Sequence, residues 1–324
     1  MYGVVGVKKR ELTFALRAIV SAAFIIFLLY KLDIESFILS ARTISPVNLL
    51  IPFLFYWFTY FLAILRWAVI LKFSNFPIPF SSLTRCYLIG FFFNNFVPTG
   101  IGGDILRVIL SSKEHGGSEK IASSVVIERV LGFIATFLVG LLVSPFSHLG
   151  KSVKITLFLL TLASTALTLS FLTPPLKKAL KALFSFIPFK VVRSYALSLL
   201  NTLYTFRHKR KSLLYGFIFS LLYQTALIYF YFLVGRILGI KGVSFIDYLT
   251  FLPIVWAIGV IPVSINAIGV REACFSYFFS KLGQSASLGM FNSLVGFFIT
   301  VFSSLVGGIL FLFGKERKIA SRKT

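Results

Sequence analysis

Acidic residues, histidines and cysteines are scarce in this sequence, and their scarcity argues against most enzyme classes. The 324 residues include 10 Asp and Glu, 3 His and 2 Cys. Cys86 and Cys274 lie far apart in apolar surroundings, so they are best explained as small buried hydrophobic residues rather than a disulfide or a metal site. No Ser or Cys stands beside a base in a nucleophile pattern. The sequence therefore predicts no catalytic residue, no metal site, no cofactor and no enzymatic activity.

Charged residues of both signs are also few, at 13% of the chain against roughly 25% in globular proteins. Hydrophobic residues make up 57%, Phe alone numbers 39, and the mean hydropathy is +0.91. This composition predicts an integral membrane protein. The net charge of +23 lies mostly in loops and tails. The positive-inside rule and anionic lipid headgroups explain it there, so no nucleic acid partner is expected.

The apolar runs predict an all-α polytopic membrane protein, because a spanning helix needs roughly 20 apolar residues. Six segments are predicted to span the membrane: 13–30, 47–71, 121–144, 153–172, 212–235 and 285–313. Two further segments, 86–112 and 245–282, are hydrophobic but are interrupted near their middles by Pro, Gly and charged residues. They are predicted to form re-entrant helical hairpins.

The placement of Lys and Arg predicts the orientation. The N-terminus, residues 173–211 and the C-terminus are basic, so all three are expected in the cytoplasm, with the loop at 31–46 outside. Hairpin 86–112 then enters from the cytoplasm, and hairpin 245–282 enters from outside. The connector at 173–211 either lies against anionic lipid or is a solvated link without function.

Helix, hairpin and helix therefore occur twice with opposite orientation, which is the inverted-repeat plan of many transporters. The first repeat covers about 47–144 and the second about 212–313, within a single membrane domain. The two hairpins contain similar stretches, 98–107 and 262–271, in which Pro, Ile and Arg coincide. A coincidence between two ordinary Pro and Gly breaks is the alternative to a true repeat.

Irregular, charged backbone at membrane depth survives only where protein buries it or where it lines a wet cavity. Three acids and three arginines fall in the membrane segments away from obvious ends: Asp104, Glu128, Glu272, Arg107, Arg129 and Arg271. A charge at the bilayer centre costs about 2.5–3.5 kcal/mol, so six of them require partners or a function. They form either a polar cavity for an anionic lipid headgroup or a charge-balanced structural lock, and both interpretations apply if the lock is also the gate.

The positions of these charges limit how they pair. Asp104 and Arg107 stand three residues apart and can pair on one helix face. Glu128 and Arg129 are adjacent and point about 100° apart on a helix, so one can line a cavity while the other braces a hairpin.

Two glycines near the first break favour an anion-binding site there. Gly102 and Gly103 let the backbone approach a ligand closely, and the half-helix after them presents free N–H groups to an anion. Asp104 would occupy those donors itself. The second hairpin has Ile268 in that place, so its tip is expected to be the freer anion site.

Amide side chains lie beside both breaks. Asn94, Asn95 and Asn266 are expected to satisfy backbone groups that the breaks set free. Arg66 stands six residues before Lys72 and is expected to extend to the cytoplasmic interface.

The stretch 92–104, followed by Arg107 and by the pair Glu128 and Arg129, resembles the transmembrane region of lysylphosphatidylglycerol synthases. So does the stretch 262–272, and the resemblance covers nearly the whole chain. It implies a flippase-like domain in the cytoplasmic membrane of a bacterium or archaeon. The synthases add a soluble aminoacyl-transfer domain, which this chain is expected to lack. Neither synthase activity nor a lysyl-lipid substrate therefore follows.

Fourteen residues are the candidates for substrate binding and translocation: Asn94, Asn95, Pro98, Gly102, Gly103, Asp104, Arg107, Glu128, Arg129, Pro262, Asn266, Gly269, Arg271 and Glu272. The predicted function is movement of an anionic phospholipid, a hopanoid or a lipid-linked glycan between leaflets. One alternative is a non-catalytic partner subunit for envelope lipid or glycan synthesis, and another is a membrane-embedded enzyme acting on lipid phosphates. Membrane lipids are the expected partners, while a homo-oligomer and a glycosyltransferase partner stay open.

Overall fold

The structure is a computed structural model that describes residues 46–96, 102–172, 178, 190–261 and 264–313. Among these residues it contains ten α-helices and no β-strand. The predicted span at 13–30 lies outside the described residues, as do Pro98, Pro262 and residues 179–189 of the predicted connector.

The helices follow one another with short links. In chain order they are α1 (Pro46–Phe73), α2 (Phe80–Phe96), α3 (Gly102–His115), α4 (Ser118–Val143), α5 (Lys151–Leu172), α6 (Lys190–Thr205), α7 (Arg210–Ile237), α8 (Phe245–Gly259), α9 (Val270–Lys281) and α10 (Ala286–Phe313). Gly116 and Gly117 both have positive φ, which lets the chain reverse between α3 and α4 over two residues.

Four of the described helices are long and apolar enough to cross a membrane. They cover Val47–Phe73, Ser118–Phe146, Arg210–Ile237 and Ala286–Phe313. These agree with four of the six predicted spans and confirm a helical membrane protein. The predicted span at 153–172 is helical, as α5, but does not belong to these four. Six spans and insertion of the hairpins from opposite faces therefore stay predictions.

The first interrupted segment forms an antiparallel pair of helices, α2 and α3. Near the open end, the Ser82 hydroxyl donates to Glu114 Oε2 at 2.7 Å. Near the break, Gly90 and Gly103 bring the two backbones together, because a Cβ on Gly90 would lie 2.8 Å from the carbonyl oxygen of Gly103. The break that Pro and Gly predicted is present, since α2 ends at Phe96 and α3 begins at Gly102.

The second interrupted segment forms a similar antiparallel pair, α8 and α9. Tyr248 near the start of α8 packs on Phe279 near the end of α9, with ring centroids 6.1 Å apart. The turn between the helices contains Asn266 and Ala267 with φ of 49° and 56°. A left-handed conformation costs a residue with a Cβ roughly 1–2 kcal/mol, so the packing around this turn must hold it in place.

The two halves interlock. The long helices α1 and α7 pack along each other through aromatic rings, including Tyr56 against Phe230 at 4.8 Å. The first arm of each pair packs on the last long helix of the other half. A Cβ on Gly307 of α10 would lie 2.0 Å from the Leu88 carbonyl oxygen of α2, and a Cβ on Gly140 of α4 would lie 3.0 Å from that of Leu249 in α8.

Candidate functional site

Glu128 is the centre of a buried charged network between α1, α2, α3 and α4. The Nε and Nη2 atoms of Arg66 both donate to its Oε1 atom, at 3.2 and 2.5 Å. The Tyr87 hydroxyl donates to the same oxygen at 2.9 Å. Glu128 is only 1% exposed, so these contacts replace water around the carboxylate.

Arg107 connects Glu128 to the second carboxylate of the network. Its Nη2 atom lies 2.7 Å from Glu128 Oε2, and its Nε atom lies 3.3 Å from Asp104 Oδ1. The guanidinium also stacks near the rings of Trp67 and Tyr87, at 4.8 and 4.7 Å from their centroids. Its Nη1 atom is buried without a hydrogen-bond partner among the described residues. The predicted pair of Asp104 and Arg107 on one helix face is therefore present, and it is part of a larger network.

Arg129 closes the network at its accessible edge. Its Nε and Nη2 atoms lie 2.7 and 2.6 Å from Asp104 Oδ2. The Arg129 side chain is 48% exposed, whereas that of Arg107 is 3% exposed. Glu128 and Arg129 point to different partners, as their adjacency predicts. The first network thus has a buried part that includes Glu128 and Asp104, and Arg129 is its accessible end.

The depth of the network follows from its place on α4. Glu128 lies ten residues, about 15 Å along the helix, after the first residue of α4 and fifteen residues before its last, so it is far from both ends of a helix long enough to cross a membrane. At that depth an unpaired charge is expensive, so the network must either be fully paired or carry out a function.

A second, smaller network lies at the start of α9. The Nε and Nη2 atoms of Arg271 donate to Glu272 Oε1 at 3.0 and 2.6 Å. The Ser293 hydroxyl of α10 accepts from Arg271 Nε at 3.0 Å and donates to Glu272 Oε1 at 2.9 Å. The guanidinium lies 4.3 Å from the centroid of Phe297. Each half thus holds a hairpin arginine against an aromatic ring and against the long helix that follows, and in the second half the ring belongs to that helix.

The expectation that the tip of the second hairpin is the freer anion site was wrong. Glu272 Oε2 accepts from the backbone N–H of Gly269 at 2.6 Å, so a carboxylate of the chain already occupies that helix start. At the first tip, Asn94 Oδ1 accepts from the Gly103 N–H at 2.8 Å. Asp104 instead faces the two arginines. The side chain that satisfies the broken backbone is therefore Asn94 in the first hairpin and Glu272 in the second.

The two breaks meet through their amides. The Asn266 Nδ2 atom donates to Asn95 Oδ1 at 3.4 Å, which joins the end of α2 to the turn between α8 and α9. Asn95 and Asn266 thus connect the two hairpins, a contact that the sequence did not predict. Of the fourteen candidates, only Pro98 and Pro262 lie outside the described residues.

Arg66 is the main residue that the sequence misassigned. It was expected to extend to the membrane surface, but it is 5% exposed and binds Glu128, with its guanidinium 4.6 Å from the centroid of Tyr223. Tyr87 and Ser293 were missed as well. Arg66 stands seven positions before the end of α1, where an arginine can either reach the membrane surface or stay buried. Only its contact with Glu128, 62 positions later in the chain, decides between the two.

A third polar cluster lies away from both networks, where the link between α4 and α5 meets the start of α8. Asp247 accepts from the Ser147 hydroxyl at 2.8 Å, from the His148 N–H at 3.0 Å and from the Ser244 hydroxyl at 2.6 Å. Burial favours a raised pKa for the Asp247 carboxyl, but the hydrogen bonds from Ser244, Ser147 and His148 outweigh it and hold the pKa below its ordinary value. The cluster fastens one half to the other.

An apolar groove of about 510 Å³ lies between α5, α8 and α9, with Ile254, Ala273, Cys274 and Phe278 among the residues that line it. None of its lining residues belongs to either charged network. Within the described ranges, no three His, Cys, Asp or Glu side chains lie together as a metal ion would require.

Comparison with known proteins supports the resemblance described above. Searches of curated proteins and of solved structures find no match for this chain. A family model described as the lysylphosphatidylglycerol synthase TM region matches residues 14–308, which include both hairpins and both charged networks. The chain therefore belongs to the lysylphosphatidylglycerol synthase TM region family.

Proposed function

We propose that this protein moves a membrane lipid between the two leaflets and that the first charged network receives its headgroup. The observation that carries the proposal is the half-exposed Arg129, whose buried partner Asp104 also contacts Arg107 and so leads to the buried contact of Arg107 with Glu128. A headgroup that reached Arg129 would meet further guanidinium donors towards the membrane centre. Arg suits this role because its planar fork matches a phosphate group.

The two hairpins supply the moving parts of this proposal. Each is an antiparallel helix pair whose arginine is held by a neighbouring long helix, and the breaks touch through Asn95 and Asn266. With the hairpins entering from opposite faces, as an inverted repeat, separation of the breaks on one side would open a path to one leaflet. The paired charges then act as a lock that the headgroup replaces.

The protein is proposed to act as a transporter in a cytoplasmic membrane, with both termini in the cytoplasm and without altering the lipid. Anionic phospholipids, hopanoids and lipid-linked glycans remain the candidate substrates. Family membership supports a role connected with membrane lipids.

A flipping assay with purified protein tests the proposal. The protein is placed in liposomes that contain a trace of fluorescent phospholipid, and a membrane-impermeant quencher reports how fast label leaves the inner leaflet. The wild-type protein is expected to speed this exchange relative to empty liposomes. Lipid extracted afterwards is analysed for covalent change, because a new product would support the enzyme alternative.

The variant Arg107→Lys keeps the charge but loses the fork that contacts Glu128 and Asp104 together. If losing one of these buried ion-pair contacts costs as much as losing a hydrogen bond to a charged group, about 1.5–3 kcal/mol, flipping should slow by about tenfold to a hundredfold. The matched control is Arg85→Lys, in a partly exposed pair with Glu114 at the open end of the same hairpin. Equal flipping by both folded variants would rule out a role for the network.

A further inference from the structure

The two networks differ in charge. The first joins three guanidinium groups, from Arg66, Arg107 and Arg129, to the two carboxylates of Asp104 and Glu128. With each acid counted as the carboxylate partner of an ion pair, one positive charge is in excess. The second network pairs one arginine with one glutamate, so its charges cancel.

The excess charge comes from outside the hairpin. Arg107 is already paired with Glu128, and Arg129 with Asp104. Arg66, from α1, adds a third guanidinium that shares Oε1 of Glu128 with Tyr87. Without Arg66 the network would be neutral, and the pairs of Arg107 with Glu128 and of Arg129 with Asp104 would still be present.

The site also has a donor available to an anion. The Arg107 side chain is 97% buried, and its Nη1 atom has no hydrogen-bond partner among the described residues. The start of α3, beside Asp104, adds the partial positive charge of a helix N-terminus. A buried net charge next to an unused donor favours a ligand of the opposite sign.

We infer that Arg66 determines which headgroups the site accepts, by setting the charge of the first network at one positive charge. A lipid with a single net negative charge, such as a phosphodiester with an uncharged head alcohol, makes the occupied site neutral. A zwitterionic phosphodiester leaves the excess charge unpaired. This inference rests on the proposed lipid movement and goes beyond it by naming the charge of the substrate and the residue that selects it.

The test is a ratio of flipping rates in liposomes, with fluorescent phosphatidylglycerol as the monoanionic lipid and fluorescent phosphatidylcholine as the zwitterionic one. The wild-type protein is expected to move the monoanionic lipid faster. Arg66→Gln makes the network neutral and should lower the ratio by about tenfold or more. The attraction between two unit charges a few Å apart in a protein is strong enough to change an equilibrium constant by more than about tenfold. Glu128→Gln raises the excess to two charges and should raise the ratio.

The decisive variant combines the two changes. Arg66→Gln with Glu128→Gln removes one charge of each sign, so the excess returns to one and the ratio should recover towards the wild-type value. Arg85→Gln is the matched control, since it removes a positive charge from a partly exposed pair in the same hairpin and should leave the ratio unchanged. All variants are compared by size-exclusion profile and thermal unfolding before their rates are measured.

The outcomes separate this inference from the proposed function. If the wild-type protein moves neither lipid faster than empty liposomes do, the proposed function fails. If it moves both lipids at one rate, or if folded Arg66→Gln keeps the wild-type ratio, lipid movement stands and charge selection by Arg66 is overturned. A folded double variant that keeps the low ratio of Arg66→Gln also overturns the inference, because charge balance would not be what Arg66 supplies.

Discussion

The substitution Gly103→Ala tests whether the close approach of α2 and α3 sets the geometry of the charged network. A Cβ on Gly103 would lie 1.8 Å from the carbonyl oxygen of Gly90 and 2.7 Å from Asn94 Cγ. The first obstacle is backbone, so no rotamer change relieves it. The helices must separate by about 1.2 Å before the new contact reaches even the 3.0 Å limit of real Cβ contacts.

Such a shift acts on the site as well as on stability. Overpacking of this kind costs about 1–3 kcal/mol and should lower the apparent melting temperature. If α3 moves by about 1.2 Å away from its present position, the 2.7 Å contact between Arg107 and Glu128 lengthens towards the limit of an ion pair. A misplacement of about 1 Å can reduce the rate of a positioned reaction about a hundredfold. We therefore expect a large loss of flipping rate even where the melting temperature falls only modestly.

Melting temperature and flipping rate are measured on the same preparations. Gly90→Ala is a graded comparison, because its Cβ would meet the Gly103 carbonyl oxygen at 2.8 Å and needs only a small adjustment. Gly150→Ala is the control, since nothing lies within 4 Å of its Cβ. The expected order of effect is Gly103, then Gly90, then Gly150. Equal melting temperatures and rates for Gly103→Ala and Gly150→Ala would refute the argument.

Two further predictions follow from other contacts. The first uses a background in which Cys86 and Cys274 are replaced by Ala. Because the amides of Asn95 and Asn266 join the breaks, cross-linking of Asn95→Cys to Asn266→Cys with a short bifunctional thiol reagent should stop flipping, while each single variant treated with the same reagent should stay active. Unchanged flipping after verified cross-linking would show that the breaks need not separate. The folded-state pKa of Asp247 lies below the unfolded value of about 3.9, so its stabilisation is fully present above that pH and is lost as the pH falls through the folded pKa. Asp247→Asn should therefore lower the melting temperature more at pH 7 than at pH 3, and an equal effect at both would contradict this account.

Local patterns predicted much of the fold. The lengths of the apolar runs predicted four membrane-spanning helices that the structure also contains. Pro and Gly predicted the positions of both breaks to within a few residues. Spacing within one helix also predicted the contact of Asp104 with Arg107. These features depend on neighbouring residues, so a single sequence contains the information that decides them.

Contacts between distant segments could not be predicted in the same way. Arg66 and Glu128 are 62 positions apart, and the hydropathy around Arg66 fits a surface position as well as a buried one. The contact between Asn95 and Asn266 joins residues 171 positions apart. The capping role of Glu272 was missed for a different reason, because the helix start at Gly269 became apparent only with the bounds of α9.

Arg107 and Arg271 look equivalent in sequence, but their partners give them different roles. The long helix that follows α3 offers Arg107 the carboxylate of Glu128, which also binds Arg66. With Arg129 bound to Asp104, one positive charge is in excess. The long helix that follows α9 offers Arg271 the hydroxyl of Ser293 and the ring of Phe297 but no carboxylate, so its charge is balanced within its own turn by Glu272. A neutral and internally bonded pair gains little from an anion, since it has no excess positive charge for the anion to balance. In the proposed function, the headgroup site therefore belongs to the first half, and Arg271 fixes the second hairpin.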